Sequence, residues 1–165
     1  MTFLYIASNP QGNVYRALIE CAFQACDEFL LVARPDLPLS EKSIVLLERL
    51  SPFLIEKKDQ FEWPGTKLGR GEGEIPVSVY YYRTDKEAQK ILSEVSDTLH
   101  SWQFPDLPED LCFLKDHKSW LSNSAHEQQS YLTIEDEGDI DKICSIENLE
   151  LEGKTSLSGL PMIFD

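Results

Sequence analysis

Five side chains able to do chemistry lie within one short segment of this 165-residue chain. The segment, residues 104–127, reads FPDLPEDLCFLKDHKSWLSNSAHE, and its candidate site residues are Glu109, Asp110, Trp120, His126 and Glu127. Carboxylates and histidine can transfer protons or bind a metal, and a tryptophan can form the apolar wall of a pocket. A site for a small molecule is therefore expected in this segment if the chain has one.

The pair His126 and Glu127 admits two interpretations. A histidine beside an acid can serve as a general base or as half of a metal site. Metal-binding helices of the H-E-x-x-H type need a second histidine, however, and Ser130 stands at that position. We favour the alternative, in which His126 is held inside the fold and hydrogen-bonds a strand or loop to the core.

The neighbouring carboxylates Glu109 and Asp110 are a weak catalytic pair. Adjacent residues of an extended segment point to opposite faces, so the two are poorly placed to act together. We expect one of them to hold the surrounding turn through backbone N–H groups. Of the three tryptophans, one could line a pocket with His126, and packing in the core is the expectation for the others.

No metal site and no cofactor are predicted. The three histidines and four cysteines are scattered, and no C-x-x-C pair or other ligand spacing occurs. The glycines at 69, 71 and 73 resemble a phosphate-binding loop only superficially, because the Walker lysine signature and the strand–loop–helix context are both absent. We expect a hairpin loop there.

The elements that must position these residues alternate along the chain. Helices are predicted from Val14 with Asn13 as its cap, from Ser40, from a Thr84–Glu87 capping box to about Leu99, and near residues 139–147. Strands are predicted at residues 29–33, 53–63, 75–83, 111–115, 119–121 and 131–134, with a tight turn at Asp116 and His117.

Because tight turns join the later strands, we predict an α+β fold in which an antiparallel or mixed sheet packs against about three helices on one side. Residues 1–165 are expected to form a single globular domain, with a loosely held C-terminal segment at 153–165.

The charge of the chain limits its partners. A net charge of −14 disfavours binding to nucleic acid, which needs a basic surface, and adsorption to an anionic membrane. No run of about 20 apolar residues is present to span a bilayer, and the first residues lack a signal peptide, so a cytoplasmic location is expected. A basic protein partner, or none, suits the charge better. Of these two, we favour the explanation that the acidic surface serves solubility over a specific basic partner.

Three blocks of sequence carry a family resemblance. They are Trp63-Pro64-Gly65-Thr66, the run from Pro108 to Phe113, and Trp120-Leu121 followed by Ala125-His126-Glu127. In this order they resemble small uncharacterised bacterial proteins of Bacillus-type organisms, some of which are labelled stage III sporulation protein AH. The resemblance covers residues 53–131 and implies a bacterial setting without a mechanism.

Two functions remain open at this point. The leading one is a non-enzymatic acidic binding module, similar to an immunity protein that neutralises a basic toxin or nuclease. The alternative is an enzyme or small-ligand-binding protein with a pocket around His126, Glu127, Glu109 and Trp120. A contiguous acidic surface would favour the first, and a deep pocket with convergent polar groups would favour the second.

Overall fold

A computed structural model describes the backbone of residues 1–155 and the side chains of residues 1–153. In this part of the chain the helices are α1 (Asn13–Ala25), α2 (Glu41–Leu50), α3 (Lys86–Val95) and α4 (Glu137–Cys144). The strands are β1 (Thr2–Ile6), β2 (Glu28–Ala33), β3 (Leu54–Gln60), β4 (Glu62–Trp63), β5 (Thr66–Lys67), β6 (Val77–Arg83), β7 (Glu109–Lys115), β8 (Lys118–Ser124), β9 (Gln129–Ile134) and β10 (Leu151–Thr155). No helix in the described residues has both the length and the apolar character needed to cross a bilayer.

Eight of the strands form one sheet in the order β10-β1-β9-β8-β7-β2-β6-β3. Every neighbouring pair in this sheet is antiparallel. The two short strands β4 and β5 form a separate hairpin around the turn at Pro64 and Gly65. The predicted α+β single-domain fold with an antiparallel sheet is confirmed.

The two faces of the sheet are covered differently. Strand β2 is buried along its whole length, and its residues alternate between two apolar clusters. Phe29 and Leu31 belong to the main core, which also contains the buried apolar residues of all four α-helices. Leu30 and Val32 belong to a smaller cluster that is closed by Trp63 of the β4–β5 hairpin. The helices therefore cover one face, and the hairpin covers part of the other.

The predicted helix starts are only partly correct. Ser40 caps α2 as predicted, because its hydroxyl accepts the N–H of Ser43 at 3.0 Å. For α1 the cap is Gly12, and Asn13 is already the first helical residue.

The predicted Thr84 cap of α3 is wrong. Asp85 is the N-cap, and its Oδ1 accepts the N–H of Glu87 at 2.9 Å. The hydroxyl of Thr84 instead donates to the carbonyl of Cys26 at 2.7 Å, which ties the end of β6 to the end of α1. The helix also stops at Val95, and Leu99 begins a separate 3-10 turn.

The hairpin between β7 and β8 forms where the sequence predicted it. Asp116 and His117 both adopt positive φ, 51° and 65°, which is the requirement of a two-residue type I′ turn. Of the predicted loose segment 153–165, the first three residues pair with β1 as the end of β10. The remainder lies outside the described residues.

Candidate functional site

Three segments that are distant in the sequence meet at one carboxylate. Asp110 is completely buried at the start of β7. The indole N–H of Trp63 donates to its Oδ2 at 2.8 Å, and the backbone N–H of Ala125 donates to its Oδ1 at 3.0 Å. One side chain thus joins the β4–β5 hairpin, strand β7 and the 3-10 turn Ala125–Glu127.

A local irregularity of the backbone accompanies this position. The pairing of β2 with β7 shifts register, so that Leu30 faces Cys112 while Val32 faces Glu109. Asp110 lies in the bulge with φ 57°, a left-handed conformation that aspartate tolerates better than most residues. The bulge therefore interrupts the regular alternation of side chains between the two faces of the strand. The expectation that Glu109 and Asp110 point to opposite faces depended on that alternation.

Burial dominates the electrostatics of Asp110. It raises the pKa of the carboxyl group above the usual value, because the charged form loses its hydration. The hydrogen bonds from Trp63 and Ala125 oppose this rise in pKa, since both stabilise the carboxylate. The neighbouring Glu109 adds to the rise, and His126 reduces it.

Glu109 has a different partner. Its Oε2 accepts a charged hydrogen bond from Nε of Arg34 at 2.6 Å. The guanidinium group of Arg34 also lies 6.0 Å from the centre of the Trp63 ring. The two adjacent carboxylates are thus engaged separately, Glu109 by Arg34 and Asp110 by Trp63 and Ala125.

His126 lies at the surface beside Asp110. Its side chain is 38% exposed, with Nδ1 3.9 Å from Asp110 Oδ1 and Nε2 3.6 Å from Glu127 Oε1. The expectation that His126 is held inside the fold is wrong. The backbone N–H of Ala125, not the imidazole, anchors this turn to the core, which leaves the ring facing solvent.

The structure separates Trp120 from the other candidates. Glu109, Asp110, His126 and Glu127 lie in one region, whereas Trp120 lines a cavity of about 620 Å³ together with Phe3, Lys118 and Asp136. Two further cavities, of about 600 and 560 Å³, are also lined by residues other than these four.

Sequence reasoning missed Trp63 and Arg34 as members of this region. For Trp63 the available signal was its residue type, because one of the three tryptophans was expected to line a pocket with His126. Arg34 had no such signal, because its contact with Glu109 spans 75 residues of sequence.

The hydrogen bonds around Asp110 suit a structural role, in which the carboxylate holds neighbouring segments together, better than a catalytic role. Both carboxylate oxygens are occupied by protein donors, and the solvent-facing proton-transfer group is the imidazole of His126. Within the described residues no three His, Cys, Asp or Glu side chains are grouped as metal ligands.

A second buried polar network, centred on His100, was not predicted. The Ser130 hydroxyl donates to Asn123 Oδ1 at 3.0 Å, and the Asn123 amide donates to the carbonyl of Leu99 at 3.1 Å. Nε2 of His100 lies 3.2 Å from the same Ser130 oxygen, whose proton is directed to Asn123. We assign the imidazole as the neutral Nε2–H tautomer, since only that form donates to Ser130 without a charge. Burial lowers the pKa of His100, consistent with a neutral ring.

Because the pKa of His100 is lower in the folded than in the unfolded protein, unfolding takes up a proton in acid. We expect the contribution of His100 to the free energy of unfolding to be complete above about pH 6.5 and to decrease as the pH falls below that value. Urea denaturation at several pH values gives the free energy of unfolding of the wild-type protein and of His100→Gln, and the difference between the two pH profiles measures the contribution of His100. Parallel pH profiles for the two proteins would show that His100 does not cause the acid sensitivity.

In comparisons with protein-family models, with curated proteins and with solved structures, nothing matched this chain. Its charges, distances and cavities are therefore the basis on which a function can be assigned.

Proposed function

We propose that this protein is a non-enzymatic acidic binding module whose partner is a basic protein, in the manner of an immunity protein that neutralises a basic toxin or nuclease. The observation that carries the proposal is the charge of residues 135–152, here called the acidic segment. Eight acids against one lysine give it a net charge of −7, half of the chain's −14. The acids are Glu135, Asp136, Glu137, Asp139, Asp141, Glu147, Glu150 and Glu152.

The fold presents these charges to solvent. Helix α4 buries Ile143 in the main core, and Ile140 packs against the same core. All the acids of the segment except Asp139 are exposed. Among the described side chains, Asp139 is also the one acid of the segment in an ion pair, with Lys115 at 3.1 Å. The acidic segment is therefore a largely uncompensated surface on a folded helix and strand.

The negative surface extends beyond α4. A groove of about 600 Å³ between α1 and α4 includes Glu20 of α1 and Glu147 of the acidic segment, with Lys142 as its one lining lysine. A concentration of one sign of charge on one region steers oppositely charged proteins and accelerates their association. A partner with a basic surface, such as the active site of a nuclease, has the complementary charge.

A small-ligand or enzymatic function is the second candidate. It is favoured by the solvent-facing imidazole of His126, which has carboxylate oxygens of Asp110 and Glu127 at 3.9 and 3.6 Å. Two observations argue against this function. Both oxygens of Asp110 accept hydrogen bonds from protein donors, and Trp120 lines a separate cavity away from His126. If this function is correct, His126→Ala will keep the melting temperature and abolish ligand binding or turnover.

We expect binding of a basic partner to depend on the acidic segment and not on total charge. The test variant Glu137→Gln/Asp141→Asn/Glu147→Gln removes three of its exposed acids. The matched control Glu48→Gln/Glu72→Gln/Glu74→Gln removes three exposed acids from α2 and the loop before β6. Affinity for an arginine-rich peptide, measured by titration calorimetry at an ionic strength of about 0.15 M, where the Debye length is about 8 Å, should fall about tenfold or more in the test variant, or about 1.4 kcal/mol.

The control variant should bind the peptide within about threefold of the wild-type protein, because exposed charges farther than a Debye length from the bound peptide are largely screened. An equal loss of affinity in both variants would show that binding follows net charge alone. That result would contradict a localised binding surface.

A further inference from the structure

Strand β3 is an open edge of the main sheet. It pairs with β6 on one side, and the described part of the chain places no strand on its other side. Six of its seven residues, from Leu54 to Asp59, are exposed, and Gln60 is half-buried. The backbone N–H and C=O groups along the outer side of an edge strand can pair with another strand. Strand β3 is therefore a surface to which a further strand can add.

The regular part of β3 has balanced charges. Its pairing with β6 shifts register between Leu54 and Glu56 and is regular from Glu56 to Gln60. This regular segment reads Glu-Lys-Lys-Asp-Gln, with two acids and two lysines. Lysines on an edge strand usually discourage pairing. Here each lysine has an acid two positions away on the same face of the strand, and Nζ of Lys58 lies 3.2 Å from Glu56 Oε1. The segment therefore has no net charge that would repel another strand.

A second copy of the chain matches this edge by symmetry. A two-fold axis perpendicular to the sheet makes the two β3 strands antiparallel and pairs residues that point to the same face. When the axis passes between the two Lys58 residues, the regular segments overlap completely, and Lys57 of each copy lies opposite Asp59 of the other. Opposite charges directly across from each other stabilise a strand pair. The two Lys58 side chains meet at the axis, but each stays beside a Glu56 carboxylate. The segment is therefore complementary to itself.

The distribution of charge along the chain also favours this edge. Residues 41–95, which include α2, β3, β6 and α3, have ten acids and nine basic residues, a net charge of −1 out of the chain's −14. The acidic segment lies at the other end of the sheet, because β10 is the opposite edge strand and α4 contacts α1 and β9. Strands lie about 4.8 Å apart, so β3 and β10 are separated by roughly 30 Å, several times the Debye length of about 8 Å. Two copies that meet at β3 therefore keep their most negative surfaces apart.

We propose that two copies of this protein associate through their β3 strands and join their eight-stranded sheets into one continuous sheet. Ile55 is 50% exposed and lies just outside the regular segment, and this register brings it close to Phe61 of the second copy. An apolar contact of this kind forms at each end of the paired segment. The inference goes beyond the proposed function, because the dimer leaves the acidic segment of each copy free to bind a basic partner.

Sedimentation velocity over a range of protein concentrations, at an ionic strength of about 0.15 M, measures this association. We expect the wild-type protein to form a reversible dimer. Asp59→Lys places a lysine opposite Lys57 of the second copy at both contacts, so the dissociation constant of the dimer should rise about tenfold or more. The matched control Glu147→Lys makes the same change of charge in the acidic segment, away from β3. It should leave the dissociation constant within about threefold of the wild-type value.

A mixture of two variants tests the register of the paired strands. Lys57→Asp, like Asp59→Lys, places like charges at both contacts, so each variant alone should stay monomeric at concentrations where the wild-type protein is dimeric. Mixed in equal amounts, the two variants should form a heterodimer, because the lysines of one copy then lie opposite the aspartates of the other. In the mixture the amides of β3 should exchange with deuterium more slowly than in either variant alone.

Three outcomes would each overturn the inference. They are a wild-type protein that stays monomeric at every concentration, an effect of Glu147→Lys equal to that of Asp59→Lys, and a mixture of the two β3 variants that does not associate. None of these outcomes bears on the proposed function, which is tested separately by binding of the arginine-rich peptide.

Discussion

Replacing Asp110 by alanine is expected to lower the free energy of unfolding by about 3 kcal/mol. The change leaves the indole N–H of Trp63 and the backbone N–H of Ala125 without their acceptor, and each buried unsatisfied donor costs about 1–3 kcal/mol. Alanine must also adopt the left-handed conformation at φ 57°, which costs about 1 kcal/mol. Relief of the buried charge, whose cost is shown by the raised pKa of Asp110, offsets part of this loss.

Asp110→Asn is the matched control for this prediction. Asparagine has the same shape, accepts a hydrogen bond through one oxygen and tolerates positive φ, so it should lose about half as much stability as alanine. Urea denaturation of the three proteins at pH 7 measures the difference. Equal destabilisation by alanine and asparagine would mean that the two hydrogen bonds and the backbone conformation do not account for the contribution of Asp110 to stability.

Replacing Trp63 by alanine is expected to have the largest effect, about 3–5 kcal/mol. Trp63 closes the second apolar cluster against Leu30, Val32, Val77 and Val79, so its removal opens a cavity on that face of the sheet. The same change removes the donor to Asp110 Oδ2 and leaves a buried carboxylate oxygen without that partner. The midpoint of urea denaturation and protection of β2 and β6 amides from hydrogen exchange should both decrease.

Trp63→Phe separates packing from hydrogen bonding. Phenylalanine retains most of the ring but lacks the indole N–H, so the expected loss is about 1–2 kcal/mol. Because Trp63 and Asp110 share one hydrogen bond, the double variant Trp63→Phe/Asp110→Asn should lose less than the sum of the two single losses. Additive losses would contradict direct coupling between the two residues, and a Trp63→Phe protein as unstable as Trp63→Ala would contradict the importance of packing.

Features that depend on neighbouring residues were determined by the sequence itself. The turn at Asp116 and His117 needs two residues that tolerate positive φ between strand-forming segments, and both requirements are local. Residues 29–33 of β2 form a continuous apolar run, and Ser40 caps α2 through a bond to a residue three positions later. An α+β fold with helices on one face of a sheet follows from such patterns, because apolar periodicity records which side of each element is buried.

Only the tertiary structure decided which groups are brought together. The hydroxyl of Thr84 could have capped α3, but the carbonyl of Cys26, 58 residues away in the sequence, accepts it instead. Asp110 likewise meets Trp63, at a separation of 47 residues, where a bulge in β7 disturbs the alternation of side chains.

The same long-range pairing placed Trp63, and not Trp120, beside the candidate residues, and it left His126 facing solvent. A local pattern can predict whether a side chain is buried. It cannot predict its partner, because partners in a sheet depend on the order and register of strands that are distant in the chain.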